Sequence, residues 1–192
     1  MKAWFIAALI LFSPWSLSAQ DTDNAELWQA LQAGGKVVLM RHAHVDRSIG
    51  DSFIQDESCF TEKNLDELGK QQAQAINQAF AKHEIKVGQV FSSSYCRTKD
   101  TAELAFGTFQ VNPILKLIRA IPVEQAKANM AEVRNLISDY QGGDNLIMVT
   151  HRPNIAEITN VRLDVAQMAV FEPLGDGLFD FLGVLAVPVE GN

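Results

Sequence analysis

The amino-acid sequence predicts an α/β fold, a three-layer sandwich with a mostly parallel central sheet and helices on both faces. Three observations lead there. Amphipathic stretches of helical period alternate with short apolar strands along the chain. Two of the strand candidates, VVLM at 37–40 and NLIMVT at 145–150, carry apolar runs without alternation, as buried strands do. Three strand candidates then run straight into polar groups: Arg41-His42, the 92–97 segment, and Thr150-His151.

Length and charge bound the rest. At 192 residues the chain suits one domain with a real core, expected over 20–192. Its net charge of −7 argues against nucleic acid or an anionic membrane as a general partner. Any anion it handles must meet a local cluster of cations. Residues 1–19 read as a cleaved secretory signal: Lys2, an apolar run over 3–12, Pro14, then Leu17-Ser18-Ala19 before Gln20. The alternative is an uncleaved anchor. Removing Lys2 with this leader takes the net charge from −7 to −8. No other stretch approaches the roughly 18 uninterrupted apolar residues of a membrane span, so no stable membrane insertion is expected after cleavage. The expected location is secreted or periplasmic. Two cysteines in an exported chain favour one disulfide, Cys59 to Cys96, over two free thiols. Its loop would contribute about 3–4 kcal/mol by chain entropy.

Taken in order, 24–32 is a short helix with Leu27, Trp28 and Leu31 on one face, capped by Asp23 or Asn24 and stopped by Gly34-Gly35. The strand at 37–41 follows. Residues 45–61 lack a clean period and read as a loop over the site, tied down by Cys59. The best helix is 65–82, with Asn64 or Asp66 as its cap and His83 as a surface residue at its end. A strand at 87–91 leads to a helix at 97–106, ended by Gly107. Next come an extended piece at 111–117, a helix at 123–140 and a turn at Gly142-Gly143-Asp144. A strand at 145–150 and a short helix at 154–159 follow. Strands at 165–171 and 179–187 flank Gly175-Asp176-Gly177.

A charge at the exit of a buried strand cannot stay in the core unpaired, so it must face a site at the strand's C-terminal edge. Two arginines and two histidines gathered at one edge repel each other and call for an anion. Arginine's planar donors match phosphoryl oxygens. On these grounds Arg41 and His42 are expected to floor a phosphate pocket.

The same residues carry a resemblance. Met40-Arg41-His42-Ala43, then Ser92-Ser93-Ser94-Tyr95-Cys96-Arg97-Thr98 with Thr101-Ala102, then Val149-Thr150-His151-Arg152-Pro153-Asn154-Ile155, resemble the ordered motifs of the histidine phosphatase (phosphoglycerate mutase-like) superfamily. The likeness runs from about Val37 to Val187. The stretch from Cys59 to Gly107 is most similar to small exported members. The resemblance implies a phosphoric monoester hydrolase working through a phosphohistidine on His42. It implies Arg41, Arg97 and His151 on the phosphoryl oxygens, with His151 facing His42. It also implies a phosphorylated substrate, whether a small molecule, a surface glycan or a protein. No cofactor is implied, because two arginines and a histidine supply the charge that a metal otherwise would.

One expected part is missing. Where relatives carry a proton-donating carboxyl, this chain has Ala120 and, after the second histidine, Gln167. Gln167 cannot do acid–base work. Glu124 is the first substitute, Glu57 or Asp56 the second, and a site with no dedicated acid the third. A good leaving group needs less acid help. His44, Arg47 and Glu57 are expected at the substrate rim. Two other readings stay open. The His42-x-His44-x-Asp46 spacing suits a metallohydrolase, and a pocket lacking its acid suits a phosphate-binding module without turnover. The short span between residue 111 and Gly142 suggests an open site and a bulky substrate.

Overall fold

The structure is a computed structural model and describes residues 19–48 and 50–189. Apart from Ala19, the leader lies outside the described residues. Six strands form one sheet in the order β3-β2-β4-β1-β5-β6, counting β1 (Val37–Arg41), β2 (Val87–Ser92), β3 (Gln110–Val111), β4 (Asn145–Thr150), β5 (Met168–Gly175) and β6 (Leu178–Leu185). Strands β1 to β4 pair in parallel, and β5 closes the far side as an antiparallel hairpin with β6. The sheet is therefore mixed, with its parallel part running from the β3 edge to β1.

The period of two along β1 decides the layers. Val38 and Met40 point into a core shared with helices α1 (Ala19–Ala33), α2 (Glu67–Lys82) and α3 (Cys96–Phe106). Val37 and Leu39 point into a second core with α4 (Val123–Ser138) and α5 (Arg152–Thr159). Both faces of β1 and β4 are thus covered, which is why their sequences show no alternation.

Several boundaries differ from the sequence expectation. Helix α1 spans Ala19–Ala33, so positions 23 and 24 fall within it and not at its start. The extended piece expected at 111–117 keeps only the end of β3 and folds into a 3-10 turn at Pro113–Leu115, with a second such turn just beyond it at Ile118–Ala120. Pro113 has no N–H for a ladder, and the Asn112 side chain accepts from the Ile114 N–H, which starts the turn instead. Helix α5 starts at Arg152, because proline is well placed in a first turn. Asp66, not Asn64, caps α2 by accepting from the Gly69 N–H at 2.9 Å. Gly69 also sits against the backbone of His44, where a Cβ would collide with the His44 carbonyl.

Residues 45–61 form the expected loop, anchored by the Cys59–Cys96 disulfide with a Cα separation of 5.8 Å. Replacing both cysteines by serine is expected to lower unfolding stability by ~2–4 kcal/mol in urea titrations. A change below half a kcal/mol would mean the loop is held without the crosslink.

Candidate active site

Register brings the strand exits together. Arg41 is paired with Thr150, and Ser92 with Val149. The ladder continues one residue past the strands: the His42 N–H donates to the Thr150 carbonyl and the Ser93 N–H to the Val149 carbonyl. Adjacent β1 and β4 then leave toward opposite faces, β1 to α2 and β4 to α5. Two neighbouring parallel strands that diverge in this way open a crevice at their C-terminal ends.

The crevice is a cavity of about 420 Å³ whose floor holds Arg41, His42, Arg97 and His151. The His42 and His151 rings lie 5.6 Å apart, centre to centre. His42 is 8% exposed. Its Nδ1 lies 2.9 Å from the Ala43 carbonyl, which only accepts, so Nδ1 carries the proton and Nε2 is bare. Burial, followed by the nearby Arg97 charge, pushes the His42 imidazolium down to about 3. The ring is therefore neutral across the physiological range.

His151 is fully buried as well. Arg97 Nη2 approaches its Nδ1 at 3.4 Å, and its Nε2 donates to Ser93 Oγ at 2.9 Å. Burial and then the charge of Arg97 hold its pKa well below the ordinary histidine value. Arg97 stacks on Tyr95, its guanidinium carbon 4.3 Å from the ring centre, and donates to the Ser52 carbonyl. Arg41 donates to the Leu163 carbonyl at 2.9 Å. Burial, then the charge of Arg152, lowers its pKa to about 10. One donor on each guanidinium, Arg41 Nε and Arg97 Nη1, is buried with no acceptor. Buried donors without partners mark where an oxyanion would sit.

The other predicted residues divide. Arg47 lines the cavity. His44 does not. Its Nδ1 is paired with Asp66 at 2.6 Å and its N–H donates to Gln72, so it braces the start of α2 and is not at the rim. Glu57 is exposed on the loop and outside the cavity lining. Asp56 is spent on Ser58 and Thr61 within that loop. Glu124 points to solvent beside Lys127 at 3.1 Å, in the first turn of α4, and does not reach the cavity. The Gln167 side chain closes a turn by accepting from the Asp164 N–H. Asp46 accepts from Ser48, so the His42-x-His44-x-Asp46 run is not folded into one cluster. Among the described residues, no three His, Cys, Asp or Glu side chains are grouped as a metal centre would need.

Other contributors carry little sequence signal. Glu62 is 1% exposed and accepts from the backbone N–H of Asp56 at 3.0 Å and of Cys96 at 2.8 Å. It ties the loop to the first turn of α3, where a carboxylate suits the helix dipole, and its charge supports Arg97 from behind. Lys63, Arg119 and Arg152 line the cavity too. Of these only Arg152, next to His151 at a strand exit, had a positional cue.

A family model described as "Histidine phosphatase superfamily (branch 1)" matches residues 37–117. No curated protein matches the sequence. Solved structures with the same fold include the protein histidine phosphatase SixA complexed with tungstate, at 15% identity and a TM-score of 0.58, covering 79% of this chain and 96% of that one. The alpha-ribazole phosphatase from Shigella flexneri is similar at 18% identity and a TM-score of 0.56, covering 81% and 100%. A phosphoserine phosphatase from Entamoeba histolytica is similar at 12% identity and a TM-score of 0.59, covering 81% and 98%.

Proposed function

We propose that the chain is a member of the histidine phosphatase superfamily, whose family model matches residues 37–117, and that it is an exported phosphatase that transfers a phosphoryl group to His42 Nε2 and then to water. One observation carries the reading: a neutral, buried imidazole with its bare nitrogen in a cavity whose arginines hold unpaired donors. In the first step the Nε2 lone pair bonds to phosphorus and the bond to the leaving oxygen breaks. The Ala43 carbonyl keeps the proton on Nδ1, fixing the tautomer that attacks. Arg41 and Arg97 take the equatorial oxygens, over which the charge of a loose transition state is spread. His151, held by Ser93, stands opposite His42. In the second step water attacks the phosphohistidine, releasing phosphate and restoring neutral His42.

Export is supported by the leader-like residues 1–19 and by the disulfide. Among the described residues no helix is long and apolar enough to cross a membrane. A second reading, phosphate binding without turnover, is favoured by the lack of any carboxylate along the cavity among the described residues.

Intact-mass spectrometry tests these readings. The chain, expressed with its own leader, is mixed with p-nitrophenyl phosphate and quenched in alkaline denaturant. The expected species starts at Gln20 and carries one phosphoryl group on the peptide containing His42. A chain that binds phosphate but never forms the adduct, nor releases p-nitrophenol, would be a binding module. A retained leader would remove the case for a cleaved signal.

A further inference from the structure

The cavity holds more positive charge than one phosphoryl group can use. Six cations line it: Arg41, Arg47, Lys63, Arg97, Arg119 and Arg152. Among the described residues, none of the six has a carboxylate within 4.0 Å. Among the described residues no aspartate or glutamate lines the cavity. All this occurs in a chain of net charge −7. Arg41 and Arg97 suffice for the transferred phosphoryl group, which leaves four cations facing whatever departs from it.

The second observation is the missing acid. An alkoxide leaves only if it is protonated, and general acid help is worth roughly 10²–10⁴ in rate. Glu124, Glu57 and Asp56 all lie off the cavity lining, and both histidines are held neutral. The site is thus poor at expelling an alcohol and rich in charge for a leaving anion. A phosphorylated imidazole or an acyl phosphate leaves easily but has no need of four further cations. A sugar bisphosphate has the charge but leaves as an alkoxide. A phosphoanhydride meets both conditions, since its leaving group is a phosphate whose own pKa is near 6.

Building on the phosphohistidine reading above, we propose that the substrate class is a diphosphate. Its terminal phosphoryl group goes to His42, while Arg47, Lys63, Arg119 and Arg152 hold the second phosphate as it leaves. The step balances without an acid. The Nε2–P bond forms, the bond from the terminal phosphorus to the bridging oxygen breaks, and that electron pair departs on the leaving phosphate. Water then converts phospho-His42 to free phosphate. Free and lipid-linked diphosphates share this chemistry. Phe53, 57% exposed at the cavity edge, offers an apolar contact to a lipid chain.

The test compares phosphate release from inorganic pyrophosphate, farnesyl diphosphate, glycerol phosphate and a sugar bisphosphate, with p-nitrophenyl phosphate as reference. The expected result is a kcat/KM for at least one diphosphate about 100-fold or more above both alkyl esters. Preference between the two diphosphates reports the free or lipid-linked source. Arg119→Gln and Arg152→Gln are expected to lower kcat/KM for the preferred diphosphate about tenfold more than for p-nitrophenyl phosphate. If an alkyl ester equals the diphosphates while p-nitrophenyl phosphate turnover still needs His42, the diphosphate proposal falls and the phosphatase reading stands. If nothing is turned over, or His42→Ala is as active as the parent, both fall.

Discussion

Alanine at position 42 is expected to lower kcat on p-nitrophenyl phosphate by a factor of about 10⁴ or more. The Nε2 of His42 is the imidazole nitrogen that the Ala43 contact leaves free, whereas both ring nitrogens of the other floor histidine, His151, are engaged by Ser93 and Arg97. The fold should survive the change. The backbone bonds of residue 42, to the Thr150 carbonyl and from the Ala166 N–H, do not involve the ring. Removing a buried neutral imidazole also leaves no buried charge behind. Phosphate should still bind, because Arg41 and Arg97 remain. His44→Ala serves as the control: it breaks the pairing with Asp66 and loosens the start of α2, so it should cost stability more than turnover. Parallel measurements of kcat and of urea midpoints separate the two. Retention of a tenth of the parent kcat by the His42 variant would rule out covalent catalysis through this residue.

Acid should unfold this protein early. His42 and His151 are neutral in the fold and charge at ordinary pH once unfolded, with His42 lowered to about 3 and His151 lowered well below 6.5. Between those limits the unfolded chain binds more protons than the folded one. Stability is therefore complete above about pH 6.5 and falls as pH drops through that window. Each histidine contributes a slope approaching about 1.4 kcal/mol per pH unit. The cause is shared: burial first, then the charge of Arg97. Urea titrations at steps from pH 7 to pH 4 should show the decline, and His42→Ala should flatten it. A decline equally steep in the His42 and His151 variants would assign the effect to carboxylates instead.

The parts of the site that were legible in the sequence are those that a strand delivers. Arg41, His42 and His151 stand at the ends of unbroken apolar runs, and Arg97 follows another strand at the start of α3, so one sheet edge had to collect them. What loops deliver was not legible. Lys63 and Arg119 come from segments without a period, and the role of Glu62 rests on two backbone partners that no sequence pattern marks. The same limit explains the error over His44. Two residues past a strand, its direction depends on whether β1 continues or bends, and the Asp66 cap at the start of α2 takes the ring. The search for an acid failed for a different reason. Glu124 is near the site in sequence but on the solvent side of α4, a matter of helix rotation at a terminus where 3-10 turns precede it.

The contact at Gly69 carries a consequence for how this chain can drift. The first turn of α2 meets the segment after β1 backbone to backbone at this point, beside the side-chain bonds that tie His44 to Asp66 and Gln72. Most of the exposed face of α2 can change without moving the histidine-bearing segment. A single added methyl at Gly69 cannot be absorbed by repacking, because what it meets is main chain. Tolerance and intolerance to substitution therefore sit side by side in one helix, and the intolerant position bears no chemistry of its own.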